Sequence, residues 1–150
     1  MSLLIALHIL AAVVWVGGMY FAYVALRPAA GPLEPEIRLT LWRGVFRRFF
    51  PWVWLCIVAL LASGYGMIFG YLGGFAGVGL HIHVMQGIGI VMMLMFGHLF
   101  FGPWRRFGAA VENKNFPDAA KRLHQIRLIV AVNLALGLVT IVVGASGRFW

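Results

Sequence analysis

Apolar residues run along this chain in four long stretches, at roughly 3–26, 50–73, 80–102 and 128–147, separated by shorter polar segments. Runs of that length match a hydrocarbon layer about 30 Å thick, crossed by a helix at about 1.5 Å per residue. The pattern predicts an all-α integral membrane protein. Residues 1–150 form one domain in which four transmembrane helices make an antiparallel bundle. The first run is too long for a signal peptide, has no basic leader, and is followed by Arg27-Pro28 rather than by a small-residue cleavage site. It therefore reads as a retained span.

The polar segments carry helix signals of their own. Leu33-Glu34-Pro35-Glu36 places acidic residues around a proline, the chemistry of a first helical turn. The following 37–50 mixes Leu39, Trp42, Val45, Phe46 and Phe49 with four arginines, which suits a short amphipathic helix in the headgroup layer leading into span two. A second helix is expected to start at 115–118 and to run through Lys121, Arg122 and Arg127 into span four.

Within the spans, small residues recur every three or four positions. Span two has Cys56, Ala59, Ser63, Gly66 and Gly70; span four has Asn133, Gly137, Thr140, Gly144 and Gly147. Span one repeats the row more weakly with His8, Ala11, Trp15, Gly18 and Ala22. Such rows let helix backbones approach in lipid, where packing rather than hydrophobicity drives association. His8, Asn133 and Thr140 are expected inside the bundle. One cysteine cannot form an internal disulfide, so Cys56 says nothing of redox compartment.

Composition agrees with this class. Of 150 residues, 63% are hydrophobic and 11% charged, too little polar surface to wrap a soluble core. The net charge of +8 raises nucleic acid as a partner, but its distribution points elsewhere. All of the twelve basic residues except Arg148 lie in segments 27–48 and 104–127. The positive-inside rule puts both of these loops in the cytoplasm, and both termini and the 71–79 turn outside. Arg148-Phe149-Trp150 reads as an interfacial anchor. The arginines serve as topology signals and lipid-phosphate contacts, or as binders of an anionic ligand group. No nucleic acid partner is expected.

Chemistry in the spans falls to histidine and methionine, because the four runs contain no Asp, Glu, Lys or Arg. An ionisable residue in hydrocarbon is costly to insert and marks a functional site by default. His8 lies early in span one and His83 early in span three, at similar depth near the outer face. A bundle that joins these helices could converge His8, His83 and His81 on one ion, with Met85 close by. His81 and His83 are 200° apart on a regular helix, so both would bind only if span three starts irregularly. Imidazole suits copper, zinc and haem iron, and thioether selects copper(I). His98 lies roughly 22 Å deeper, where it could serve a second centre, a relay with Met92, Met93 and Met95, or only a backbone carbonyl. His124 sits among basic residues as a solvated loop histidine, and methionines in apolar chains are often packing filler.

The segments His8-x6-Trp15-x-Gly17-Gly18-Met19, Tyr20-Phe21-Ala22-Tyr23 and Arg27-Pro28 resemble the first helix of small CopD-type (copper resistance D) membrane proteins. His83-x-Met85-Gln86-Gly87, Phe96-x-His98, Pro103-Trp104-Arg105 and the closing 144–150 are similar to the same group. The resemblance implies a bacterial inner-membrane protein associated with copper uptake. The His8, Trp15 and Gly18 spacing also resembles the first helix of HemJ-type protoporphyrinogen oxidases, four-span proteins that bind haem b. That family carries His-x-Lys at the start of its third helix, where this chain reads His81-Ile82-His83, and its first-helix arginine is displaced here to Arg27. These departures count against the oxidase chemistry and leave haem binding open.

Three functions follow. The first is copper handling, in which His8, His81, His83 and Met85 capture the ion at the outer mouth and His98 receives it further in. The second is a haem b oxidoreductase acting on quinol or porphyrinogen, with His8 and His83 or His98 as axial ligands. The third is an accessory subunit without cofactor. Copper is preferred, with haem b the alternative. The expected partners are the lipid bilayer, a periplasmic metal donor or a quinol, and a second copy in a homo-oligomer.

Overall fold

The computed structural model describes residues 1–149, apart from the side chain of Arg148. Trp150, part of the expected terminal anchor, lies outside the described residues, and Phe149 is exposed. The four apolar runs form helices α1 (Ser2–Ala29), α2 (Pro35–Tyr71), α3 (Leu80–Glu112) and α4 (Phe116–Ser146), each long and apolar enough to cross a membrane. Among the described residues there is no strand.

The helices overrun the spans expected from hydropathy, because the polar segments continue them instead of interrupting them. The amphipathic segment 37–50 is the first part of α2, and the segment from 116 is the first part of α4. With 37 residues, α2 is about 55 Å long at about 1.5 Å per residue. It therefore extends well beyond a hydrocarbon core of about 30 Å.

Local chemistry sets the ends. Pro35 stands in the first turn of α2 with Glu36 beside it, and the Asn115 side chain accepts the Asp118 N–H at 3.3 Å to start α4. At the end of α2, Gly73 and Gly74 take φ of +73° and +85°, and the Gly74 N–H donates to the Ile68 carbonyl at 2.9 Å. Glycine reaches that left-handed geometry without steric penalty. α1 and α3 each loosen into a π-helical turn, Phe21–Leu26 just before Pro28 and Phe100–Trp104 around Pro103. A proline ring crowds the carbonyl four residues back and donates no hydrogen bond, and the wider turn absorbs that misfit.

The expected small-residue rows are where helices meet. Along α1 and α2, Leu4 packs at Gly66, His8 at Gly64, and Phe49 at Gly18. Along α3 and α4, His81 packs at Gly147, Met85 at Gly144 and Met92 at Gly137. In each pair the numbers rise along one helix as they fall along the other. Val16 of α1 also reaches Gly137, joining the two pairs. Gly70, though part of the row in span two, faces open space.

Burial is uneven along the bundle. Phe46 and Phe50 of α2 stack on one another and meet Trp104 edge-on, and Phe50 and Trp54 meet Phe96. Much of the apolar face of 37–50 is thus covered by protein, because α3 continues past its span and brings Trp104 and Phe107 alongside, while Ile37 and Leu41 stay exposed. Arg43 pairs with Glu112 at the same end. Towards the other end packing thins: no residue before Ala11 is buried, nor any between 80 and 91.

Candidate functional site

His8 projects from the second turn of α1 onto α2, where its Nδ1 lies 2.9 Å from Ser63 Oγ. Ser63 is fully buried, and its hydroxyl lies 2.5 Å from the Ala59 carbonyl and 3.3 Å from that of Leu60. A hydroxyl has one proton, and carbonyls only accept. With the Ser63 proton directed to the backbone, Oγ must accept from His8, so Nδ1 carries the hydrogen. The Nε2 lone pair is left free, which is the form in which a neutral imidazole ligates a metal. Gly64 allows the approach, since a Cβ there would lie 3.3 Å from His8 Cε1.

α3 is helical from Leu80, so it divides its chemical residues between two sides. His81 and Met85 face α4. A Cβ on Gly144 would lie 2.9 Å from Met85 Cε, and one on Gly147 would overlap the Cβ of His81. His83 turns the other way and stacks on Phe75 at 6.1 Å between ring centroids. Phe75 in turn packs against Tyr65 and Phe69 of α2, and Gln86 Nε2 donates to the Tyr65 hydroxyl at 3.1 Å. Ser63, Gly64 and Tyr65 are consecutive, so this short stretch of α2 touches His8 on one flank and Gln86 on the other. The irregular start that would bring His81 and His83 onto one ion is absent.

His8, His81, His83 and Met85 therefore occupy the same end of the molecule but separate points on it. Among the described residues, no group of three or more His, Cys, Asp or Glu side chains gathers in a geometry that could hold a metal ion. His98 lies further along α3 and is exposed, as is His124. Met92 is buried, and its carbonyl accepts from Asn133 Nδ2 at 3.2 Å; among the described residues Asn133 Oδ1 has no partner. Thr140 bonds back to the Leu136 carbonyl of its own helix at 2.8 Å.

The family model for copper resistance protein D matches residues 43–146. The chain belongs to the CopD family. The match takes in most of α2 and all of α3 with His81, His83, Met85 and His98, whereas the helix bearing His8 lies outside it. No curated protein and no solved structure matches the chain.

Two features of this site were missed in the sequence. Ser63 reads there as one more small residue in a packing row, although a hydroxyl at a close helix contact is also a hydrogen-bond donor and acceptor. Tyr65 and Gln86 lie on different helices, and nothing in their spacing pairs them.

Proposed function

We propose that this CopD-family membrane protein handles copper, taking it up at the end that carries His8, His81, His83 and Met85 and passing it inward towards His98. The observation that carries the reading is the family match, because it encloses every one of these donors except His8. Imidazole and thioether are the ligands that favour copper, and copper(I) in particular. The donors are spread over two sides of α3 and one side of α1. That arrangement suits an ion handed from one donor to the next better than one held in a closed cage. His8 is the best-prepared of them, with Nε2 left open by the Ser63 hydrogen bond.

We place the protein in a bacterial inner membrane as an antiparallel bundle, with both termini on the periplasmic side and the basic segments in the cytoplasm. This rests on the charge asymmetry of the loops. Copper then meets His8 and His83 first and His98 last.

The test is a copper(I) titration of detergent-purified protein against a chromophoric chelator, with an absorption spectrum of the same sample before and after dithionite. Stoichiometric copper(I) binding that His8→Ala or His83→Ala weakens at least tenfold supports the proposal. A Soret band with an α-band near ~560 nm on reduction would replace it with haem b. Unchanged affinity in both variants would overturn the assigned donors.

A further inference from the structure

His8 and His83 are held in different ways. A hydrogen bond between Nδ1 and Ser63 Oγ fixes the His8 ring. The His83 side chain is exposed, and among the described residues its partner is the ring of Phe75, stacked at 6.1 Å between centroids with the planes 29° apart. An exposed imidazole that turns freely loses rotamer freedom when it binds an ion, and a contact that holds the ring beforehand removes that cost. Stacking does so through the face of the ring. The lone pair through which imidazole binds a metal lies in the ring plane, so it stays open.

Phe75 is itself placed with care. It lies in the strap 72–79 that joins α2 to α3, four of whose eight residues are glycines. Gly73 and Gly74 turn the strap back over the end of α2, and the Gly74 N–H anchors it to the Ile68 carbonyl. Gly77 passes so near the Leu72 carbonyl that a Cβ there would overlap it. Tyr65 and Phe69, one turn apart on α2, meet Phe75 edge-on at 6.2 and 5.4 Å, the geometry that aromatic pairs favour. Gln86, one turn beyond His83 on α3, donates to the Tyr65 hydroxyl at 3.1 Å. The rings that seat Phe75 and the helix that carries His83 are thereby tied together.

We propose that Phe75 is a positioning residue for His83, holding its ring ready for copper(I), and that the Tyr65–Gln86 hydrogen bond keeps α3 in register with the rings on which Phe75 rests. The inference rests on the copper reading of His83. It makes the glycine-rich strap part of the donor group although no atom of the Phe75 side chain binds a metal.

The test uses full-length protein in detergent. Copper(I) is the probe, titrated against a chromophoric chelator, and the ring Cε1–H resonance of His83 is followed in the metal-free protein. Phe75→Leu keeps an apolar side chain and removes the flat face. It is expected to weaken copper(I) binding about threefold to tenfold, the worth of one aromatic contact, and to shift the His83 resonance by loss of the ring current. Phe75→Tyr restores both. Tyr65→Phe, which removes only the hydroxyl, is expected to give a smaller change in the same direction. Tyr71→Leu, at an exposed position where α2 ends, is the control and should change neither. In a His83→Ala background, Phe75→Leu is expected to weaken binding no further, because the two residues act as one unit. Equal weakening with and without His83, equal weakening in the control, or no recovery in Phe75→Tyr overturns the inference. An unmoved affinity and resonance in Phe75→Leu, where His83→Ala does weaken binding, overturns it and leaves the copper reading standing. If His83→Ala changes nothing, the copper reading of His83 falls and this inference falls with it.

Discussion

At the end that carries the basic segments, rings from α2 and α3 interlock: Trp42, Phe46 and Phe50 with Phe96, Trp104 and Phe107, almost all of them buried. At the end that carries His8, His81 and His83, the helices touch mainly through glycines, and apart from fully buried Ser63 the side chains at those contacts are only partly buried. Lipid tails are as apolar as leucine, so in a membrane helices adhere by fitting closely, not by escaping water. The aromatic end fits by interdigitating large flat groups. The histidine end fits backbone to side chain at single points and leaves polar atoms within reach of an ion. One end supplies most of the ring packing that holds the bundle together, and the other carries the side chains proposed to handle copper.

Substitutions can break or sharpen that contrast. Phe107→Ala, at a position with no exposure, should be the most damaging, costing about 3 kcal/mol through the cavity it leaves. Unfolding in mixed detergent micelles would measure this, and a loss no larger than that of a change at the histidine end would remove the distinction. Gly147→Ala should cost about 2 kcal/mol by overpacking, because the new Cβ would overlap His81. It should also weaken copper(I) binding, and a change in stability without a change in binding would separate His81 from the donor set.

Ser63→Ala should cost about 1 kcal/mol for the lost hydrogen bond. Its sharper signature is in His8: imidazole ¹⁵N shifts of the metal-free protein should move from the Nδ1–H tautomer towards a mixture, and Ser63→Thr should restore it. An unaltered tautomer in Ser63→Ala would show that Ser63 does not orient the ring. Asn133→Leu should cost about 0.6 kcal/mol, the average for a polar contact between membrane helices, with the unpartnered Oδ1 limiting what is lost. His124→Ala, at an exposed position, should change stability by less than about 0.5 kcal/mol and leave copper(I) titration curves unmoved. A measurable loss of copper there would extend the pathway to the basic end.

Most of the architecture is legible in the chain because membrane spans are set by length and hydropathy, which are local properties. The four spans, the helix starts at Pro35 and Asn115, and the close approaches at Gly66, Gly137, Gly144 and Gly147 all follow from residues read in order. Less legible was how far each helix continues. Hydropathy falls where arginines begin, but backbone hydrogen bonding does not, so α2 passes straight through the segment expected as a short helix of its own, and α4 starts near Asn115 and runs into its span as expected. The site was legible as a set of residue types. Part of its arrangement was legible too, since a regular helix sets His81 and His83 about 200° apart; what was not is that α3 starts regularly at Leu80 and that His8 is engaged by α2, a partner that no spacing in the sequence names.

The amino-acid sequence by itself determined that this is a four-helix chain able to span a membrane, with histidine, methionine and the single Cys56 as the side chains inside the spans suited to a soft metal. Those outcomes depend on composition, periodicity and charge placement, which need no knowledge of which helix neighbours which. Only the tertiary structure decided that Ser63 leaves His8 Nε2 free, that Phe75 and Gly147 hold His83 and His81 on opposite sides of α3, and that Gln86 meets Tyr65. Each of these joins residues on different helices. Which side chains meet there is set by how the helices rotate and slide to pack their small and large residues together, a property of the assembled bundle rather than of any one segment.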